Sequence, residues 1–217
     1  MAKHLDLEEQ EQLDQLKHFW KQYGNPITWV LIAVLTAFAG WNGYQYWQQK
    51  QASQAAAMFD EVEKVVRGGD VDKANRAFND MKDRFASAVY TQQAGLMVAK
   101  MAFDAAKPEV ATATLQWLAE HASDSGYAAI ARLRLANVQV EAGAFDAALK
   151  TLDGDTSAEF AALVSDRRGD IYAAQGKLAE AKTHYLKAYQ SMEERSEYRR
   201  LLKYKLNALG VDPEQTK

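Results

Sequence analysis

ITWVLIAVLTAFAGW, residues Ile27 to Trp41, is the one strongly apolar run of the chain, and no charged side chain occurs from Gln22 to Gln49. As a helix, Ile27 to Trp47 measures about 31 Å at 1.5 Å per residue, close to the hydrocarbon thickness of a bilayer. Trp20, Tyr23 and Trp29 crowd one end; Trp41, Tyr44, Tyr46 and Trp47 crowd the other. Amphipathic rings favour the headgroup level, so these read as two interfacial belts. Ile27, Val30, Leu31, Ile32, Val34, Leu35 and Phe38 together favour insertion by roughly 2–4 kcal/mol, from which Asn42 and Gln45 subtract.

Three readings of this run compete: a retained single-pass helix, a cleaved signal peptide and a buried core helix. A core helix normally carries a polar face, and none is clear here before Asn42. A signal peptide needs a basic leading segment and a small-residue cleavage site directly after the apolar core. Residues 1–25 instead carry Lys3, Lys17 and Lys21 against Asp6, Glu8, Glu9, Glu11 and Asp14, and Ala55-Ala56-Ala57 lies well beyond Trp41. The retained span is the reading adopted. Three lysines precede it, and only Lys50 falls within the twenty residues after Trp41. Positive charge favours the cytoplasmic side, so the N-terminus is expected inside and the C-terminal domain exported. The absence of cysteine permits an oxidising compartment without proving one. Within the span, Ala33, Thr36, Ala37, Gly40 and Gly43 recur at helical spacing on one side. Small residues let another membrane helix approach closely; the plainer reading is that Ala and Gly are common in such helices.

The chain of 217 residues is rich in alanine and nearly free of proline (Pro26, Pro108, Pro213), a helical composition. Four segments share one order: GGDVDKANRAF (68–78), AAKPEVATATL (105–115), AGAFDAALKTL (142–152) and QGKLAEAKTHY (175–185). Each has a short turn, then a small residue (Ala74, Ala111, Ala148, Ala181), then a large one (Phe78, Leu115, Leu152, Tyr185). In the last copy Gly169, Tyr172, Gly176, Ala181, Tyr185 and Ala188 resemble a tetratricopeptide repeat. Gly169 and Ala181 let two antiparallel helices touch, while Tyr172 and Tyr185 fill the space around that contact. One such pair buries too little apolar surface to be stable alone, whereas stacked copies share a core. The expected layout is four helix pairs at about 52–85, 89–121, 126–157 and 159–192, capped by a helix near 196–209. The mixed charge of that cap (Glu193, Glu194, Arg195, Glu197, Arg199, Arg200, Lys203, Lys205) suits a partly solvated end. The first two copies are less regular and also read as divergent helical hairpins. The fold class is therefore all-α: a single transmembrane helix followed by a tetratricopeptide-repeat-like solenoid. The domains are a tail over 1–24, the span over 25–48 and the repeats with their cap over 49–217.

Chemistry is sparse. Without cysteine there is no thiol nucleophile, thiolate metal site or disulfide. His4, His18, His121 and His184 have no metal-spaced partner, and no phosphate loop, dinucleotide fingerprint or hydrolase motif occurs. Gly68-Gly69 with Asp70 and Asp72 lacks the other ligands of a calcium loop and reads as a turn. No metal, cofactor or catalysis is expected. A net charge of −3 gives no footprint for nucleic acid. Some tetratricopeptide domains grip a peptide carboxylate with basic and amide side chains on their inner helices. The corresponding positions here are Leu133 and Asn137 in one repeat and Asp166 and Asp170 in the next, and aspartates repel a carboxylate. The expected inner face is instead mixed: Gln93, Leu96, Lys100, Ile130, Leu133, Asn137, Asp166 and Asp170, with ordinary core packing as the alternative for Leu96, Ile130 and Leu133.

Taken together, the tail and FWKQYGNPITW (Phe19–Trp29) entering the span, YQYWQQKQ (Tyr44–Gln51) leaving it, and QGKLAEAKTHYLKAY (Gln175–Tyr189) resemble one bacterial family. That family is the ancillary subunit of the SecYEG translocon, and the resemblance covers essentially the whole chain. It implies a non-catalytic protein of the bacterial inner membrane, its repeat domain periplasmic. The implied partners are the Sec translocon, a membrane-anchored periplasmic chaperone of the prolyl-isomerase type, and unfolded exported chains. Two other functions remain open. The acidic tail LDLEEQEQLDQLKHFW (Leu5–Trp20), with Leu5, Leu13, Leu16 and Trp20 at helical spacing, suits a regulatory protein restraining a cytoplasmic regulator. The repeats also suit a general cell-envelope assembly scaffold.

Overall fold

The computed structural model describes residues 7–154 and 157–214, with side chains from residue 11 onward. Leu5 and Asp6 of the tail, and the side chains of Glu8 and Glu9, lie outside the described residues. The described residues are helical throughout, with no strand among them. The helices are α1 (Leu7–Arg67), α2 (Val71–Phe85), α3 (Val89–Asp104), α4 (Pro108–His121), α5 (Ser125–Glu141), α6 (Phe145–Thr151), α7 (Ala161–Ala174), α8 (Leu178–Ser191) and α9 (Glu197–Ala208). A 3₁₀ turn at Ala158–Phe160 leads into α7. Two compact units result, the first ending at Lys50 and the second beginning at Gln51.

In the first unit, α1 holds the apolar run, and it is the one described helix long and apolar enough to cross a membrane. Its large apolar side chains from Trp29 to Trp47 are exposed. A helix in lipid must satisfy its polar groups internally. Accordingly Thr28 Oγ1 donates to the Gly24 carbonyl at 2.7 Å, Thr36 Oγ1 to Ile32 at 2.7 Å, and Asn42 Nδ2 to Phe38 at 2.9 Å. The polar side chains of the run are thereby spent on their own helix. Pro26 sits within α1 and removes one helical donor.

The second unit is a stack of helical hairpins whose boundaries follow local chemistry. Asp70 caps α2 by accepting from the Lys73 amide at 2.9 Å, and Asp124 caps α5 by accepting from Gly126 and Tyr127. Pro108 opens α4, where its missing amide proton costs nothing. Inside the first four hairpins one residue turns left-handed at the same place in the repeat: Gly69 (φ 80°), Ala106 (φ 54°), Gly143 (φ 73°) and Gly176 (φ 74°). At three of these turns the next amide reaches back five residues, from Lys107 to Ala102, Ala144 to Gln139 and Lys177 to Tyr172, at 2.8–2.9 Å. This is the Schellman closure that stops a helix.

Counting from each left-handed residue exposes the packing rule. Five positions on stand Ala74, Ala111, Ala148 and Ala181, all fully buried. Nine positions on stand Phe78, Leu115, Leu152 and Tyr185, also buried. Seven positions before stand Val62, Ala99, Ala136 and Gly169, again buried. Bulk is complementary across each hairpin: Tyr185 faces Gly169, and Leu115 and Leu152 share clusters with Ala99 and Ala136. The first hairpin pairs two large residues, Val62 and Phe78. Its extra room comes from the next helix, where a Cβ on Gly95 would stand 2.9 Å from the Phe78 ring. All four segments are thus repeats, the first two included.

Candidate interaction surface

The expected inner-face residues lie on α3, α5 and α7. Gln93 and Leu96 are half-buried, and Gln93 Nε2 donates to the Tyr127 hydroxyl at 2.9 Å, tying α3 to α5. Leu96 packs on the core beneath, and its carbonyl accepts from Arg134 at 3.2 Å. Lys100 is exposed and paired with Asp104 one turn on. Ile130 is half-buried, and Leu133 packs against the cluster of Ala136, Ala148, Leu152 and Ile171. Lys100 and Asn137 meet across a cleft of about 300 Å³. Its floor is Ala99, Leu115 and Val138, and Phe103, Asp104 and Arg134 complete its walls. An apolar floor under a rim of amide, guanidinium, ammonium and carboxylate can seat an apolar side chain while hydrogen-bonding the backbone that carries it. Arg134, Phe103 and Asp104 were absent from the sequence reading. Arg134 stands four residues after Ile130, so helical spacing alone could have found it.

The structure sets Asp166 and Asp170 apart from that cleft. Asp166 is only 1% exposed. It accepts from Tyr198 at 2.6 Å and from Lys205 Nζ at 2.7 and 3.0 Å, both on α9. Lys205 also reaches Asp170 at 2.7 Å, and Asp170 accepts from Tyr185 at 2.8 Å. Arg167 adds a contact to Asp170 at 3.5 Å. Burial, and then the hydrogen bonds to these carboxylates, push the Tyr185 and Tyr198 hydroxyls well above the ordinary tyrosine range. The two aspartates are thus spoken for by α9, whose Leu202 and Leu206 are fully buried on the same side. Among the charges expected at that partly solvated end, Lys205 is the one drawn onto the buried Asp166. A buried carboxylate requires a cation, and Lys205 is the one whose position on α9 matches the hydrophobic docking stripe.

The small residues of the span line no internal contact that a side chain would disturb: a Cβ added at Gly40 or Gly43 meets nothing within 4 Å. Among the described residues no group of three or more His, Asp or Glu side chains is arranged to hold a metal ion.

Stacked helical hairpins closed by a capping helix, preceded by one apolar helix long enough to cross a membrane, define a helical-repeat protein with one candidate membrane span. Residues 17–211 match the family model of the tetratricopeptide repeat-like domain. The protein named ancillary SecYEG translocon subunit from Neisseria gonorrhoeae is 36% identical over 96% of this chain and 100% of its own length. Its namesake from Haemophilus influenzae is 32% identical over 94% of this chain and 98% of its length. That from Escherichia coli is 31% identical over 77% and 81% respectively. The chain belongs to the family of ancillary SecYEG translocon subunits.

Proposed function

We propose that this chain is a non-catalytic, inner-membrane interaction subunit of the Sec translocon. Its span anchors it beside the channel, and its repeat domain lies on the periplasmic side. There it links the channel to a membrane-anchored chaperone of the prolyl-isomerase type and assists newly translocated chains. The observation that carries this reading is the full-length similarity to relatives named as translocon subunits. The lysine asymmetry about the span supports the orientation. On this reading Ala33, Thr36, Ala37, Gly40 and Gly43 form the face that packs against the channel. The partner face of the repeats comprises Gln93, Leu96, Lys100, Ile130, Leu133 and Asn137, centred on the α3–α5 cleft. Asp166 and Asp170 leave that face because α9 occupies them. Anchoring raises the concentration of the repeat surface where chains emerge, so weak contacts suffice.

Copurification tests the reading. Full-length protein drawn from gently solubilised membranes is expected to bring the channel with it. Replacing residues 27–47 by an unrelated apolar helix of equal length is expected to abolish that recovery. Unchanged recovery would remove the span from the docking surface. The cysteine-free sequence also permits a clean orientation test. A single Leu178→Cys on exposed α8 is expected to react with an impermeant maleimide from the periplasmic side; protection until lysis would reverse the orientation.

A further inference from the structure

A second groove of about 760 Å³ lies at the far end of the stack, between the end of α8, the face of α9 and the chain after it. Arg199 dominates it. Its guanidinium lies 4.2 Å from the centre of the Tyr189 ring, within cation–π range. Its Nε is shut from solvent and meets no hydrogen-bond partner. The nearest carboxylate, Glu194, approaches only to 3.9 Å, beyond hydrogen-bond reach, and is 90% exposed. Lys203 enters the same groove and pairs with exposed Glu214 at 2.7 Å. Arg200 lines it too and pairs with Glu197 at 3.0 Å. Tyr204, 70% exposed, supplies an apolar wall. The hydroxyl of Ser196, also in the lining, makes no capping bond to α9.

A guanidinium that lies against an aromatic ring, with its terminal nitrogens beyond hydrogen-bond reach of the Glu194 carboxylate, suits a two-oxygen acceptor on its outer edge. The glutamates nearby belong to exposed pairs, which contribute little and exchange partners cheaply. We propose that this groove receives an acidic segment of a partner polypeptide. One carboxylate of that segment lies on Arg199 and a second meets Lys203, with an apolar side chain against Tyr204. Glu194 and Glu214 stand in for those carboxylates when the partner is absent. An anionic membrane is a poorer occupant: Arg199 and Lys203 line a groove, which an extended peptide enters more readily than a flat surface does. This face is distinct from the α3–α5 cleft, and the inference does not depend on the translocon reading.

The test uses the full-length protein in detergent and a fluorescent peptide of eight glutamates ending in tryptophan, with the glutamine version as control. Saturable binding of the glutamate peptide alone is expected. Arg199→Gln and Lys203→Gln are each expected to weaken it by about tenfold, the effect of losing one charge-assisted contact. Glu194→Gln and Glu214→Gln are expected to tighten it, whereas Glu193→Gln, an equal change of charge outside the groove lining, is not. Thermal midpoints of each variant show that folding is retained, and Lys203→Gln, on a half-buried side chain at the groove, carries the test if Arg199→Gln does not fold. No saturable binding, binding indifferent to Arg199 and Lys203, or equal tightening by Glu193→Gln would overturn the proposal. So would capture of phosphatidylglycerol vesicles, through Arg199 and Lys203, in preference to the peptide.

Discussion

The ring of Tyr185 lies directly over Gly169: a Cβ at Gly169 would stand 2.5 Å from two of its atoms. The ring cannot swing away freely, because its hydroxyl is tied to Asp170 at 2.8 Å. Gly169→Ala therefore overpacks the last hairpin, and the gain in helix propensity offsets only part of the strain. A net loss of about 1–2 kcal/mol is expected from urea unfolding. Adding Tyr185→Leu recreates the Ala136–Leu152 pairing of the previous hairpin and should recover part of that loss. A double variant no better than the single one would mean that Gly169 matters for some reason other than ring clearance.

Ala106 takes the left-handed turn that glycine takes at Gly69, Gly143 and Gly176. The methyl group makes that conformation costly by about 1–2 kcal/mol, against which glycine carries a larger entropy cost on folding. Ala106→Gly is expected to stabilise the domain by about 0.5–1 kcal/mol, read as a raised denaturation midpoint. A lowered midpoint would mean that the alanine makes a contact worth more than its strain.

These two sites show how far the sequence could be read. The series Ala74, Ala111, Ala148 and Ala181 was legible because its residue type barely changes and its distance from the turn is constant. The facing series, Val62, Ala99, Ala136 and Gly169, was legible only at its glycine. Valine and alanine are too common on helices to stand out, and the room around Phe78 comes from Gly95 on another hairpin. Pairwise bulk is a property of two helices, which no single stretch of sequence displays. The α9 network escaped for a similar reason. Lys205 resembles its neighbours Lys203 and Arg200 in the sequence, and only the docking of Leu202 and Leu206 turns it inward.

Removing Lys205 tests that network. Lys205→Met leaves Asp166 buried without its cation and is expected to cost about 3–5 kcal/mol in unfolding free energy. Lys205→Met with Asp166→Asn removes charge from both sides and should cost clearly less than the sum of the single changes. Strict additivity would mean that Lys205 and Asp166 are not coupled.

Burial, with help from the charges of Arg168 and Lys187, holds the His184 imidazole below its ordinary value. In the unfolded chain it binds a proton near pH 6.5, whereas in the folded protein it stays neutral to lower pH. Its effect on stability is therefore nil well above about pH 6.5, and stability falls as pH drops through that value towards the folded pKa. His184→Phe keeps a ring against Tyr172, with which His184 stacks at 5.2 Å, and removes the titration. The thermal midpoint of the variant should fall less than that of the wild type between about pH 7.5 and 5.5. Parallel pH profiles would remove His184 as the source of the acid sensitivity.

Site-specific photo-crosslinking in native membranes tests the central claim most directly. Ala37 lies on the small-residue face of the span, and Leu35, about 200° around the helix, lies on the opposite face. A probe at Ala37 is expected to yield a defined adduct with the translocon channel, while a probe at Leu35 yields little. Equal adducts from both positions, or none from either, would contradict a docking role for this face of the span.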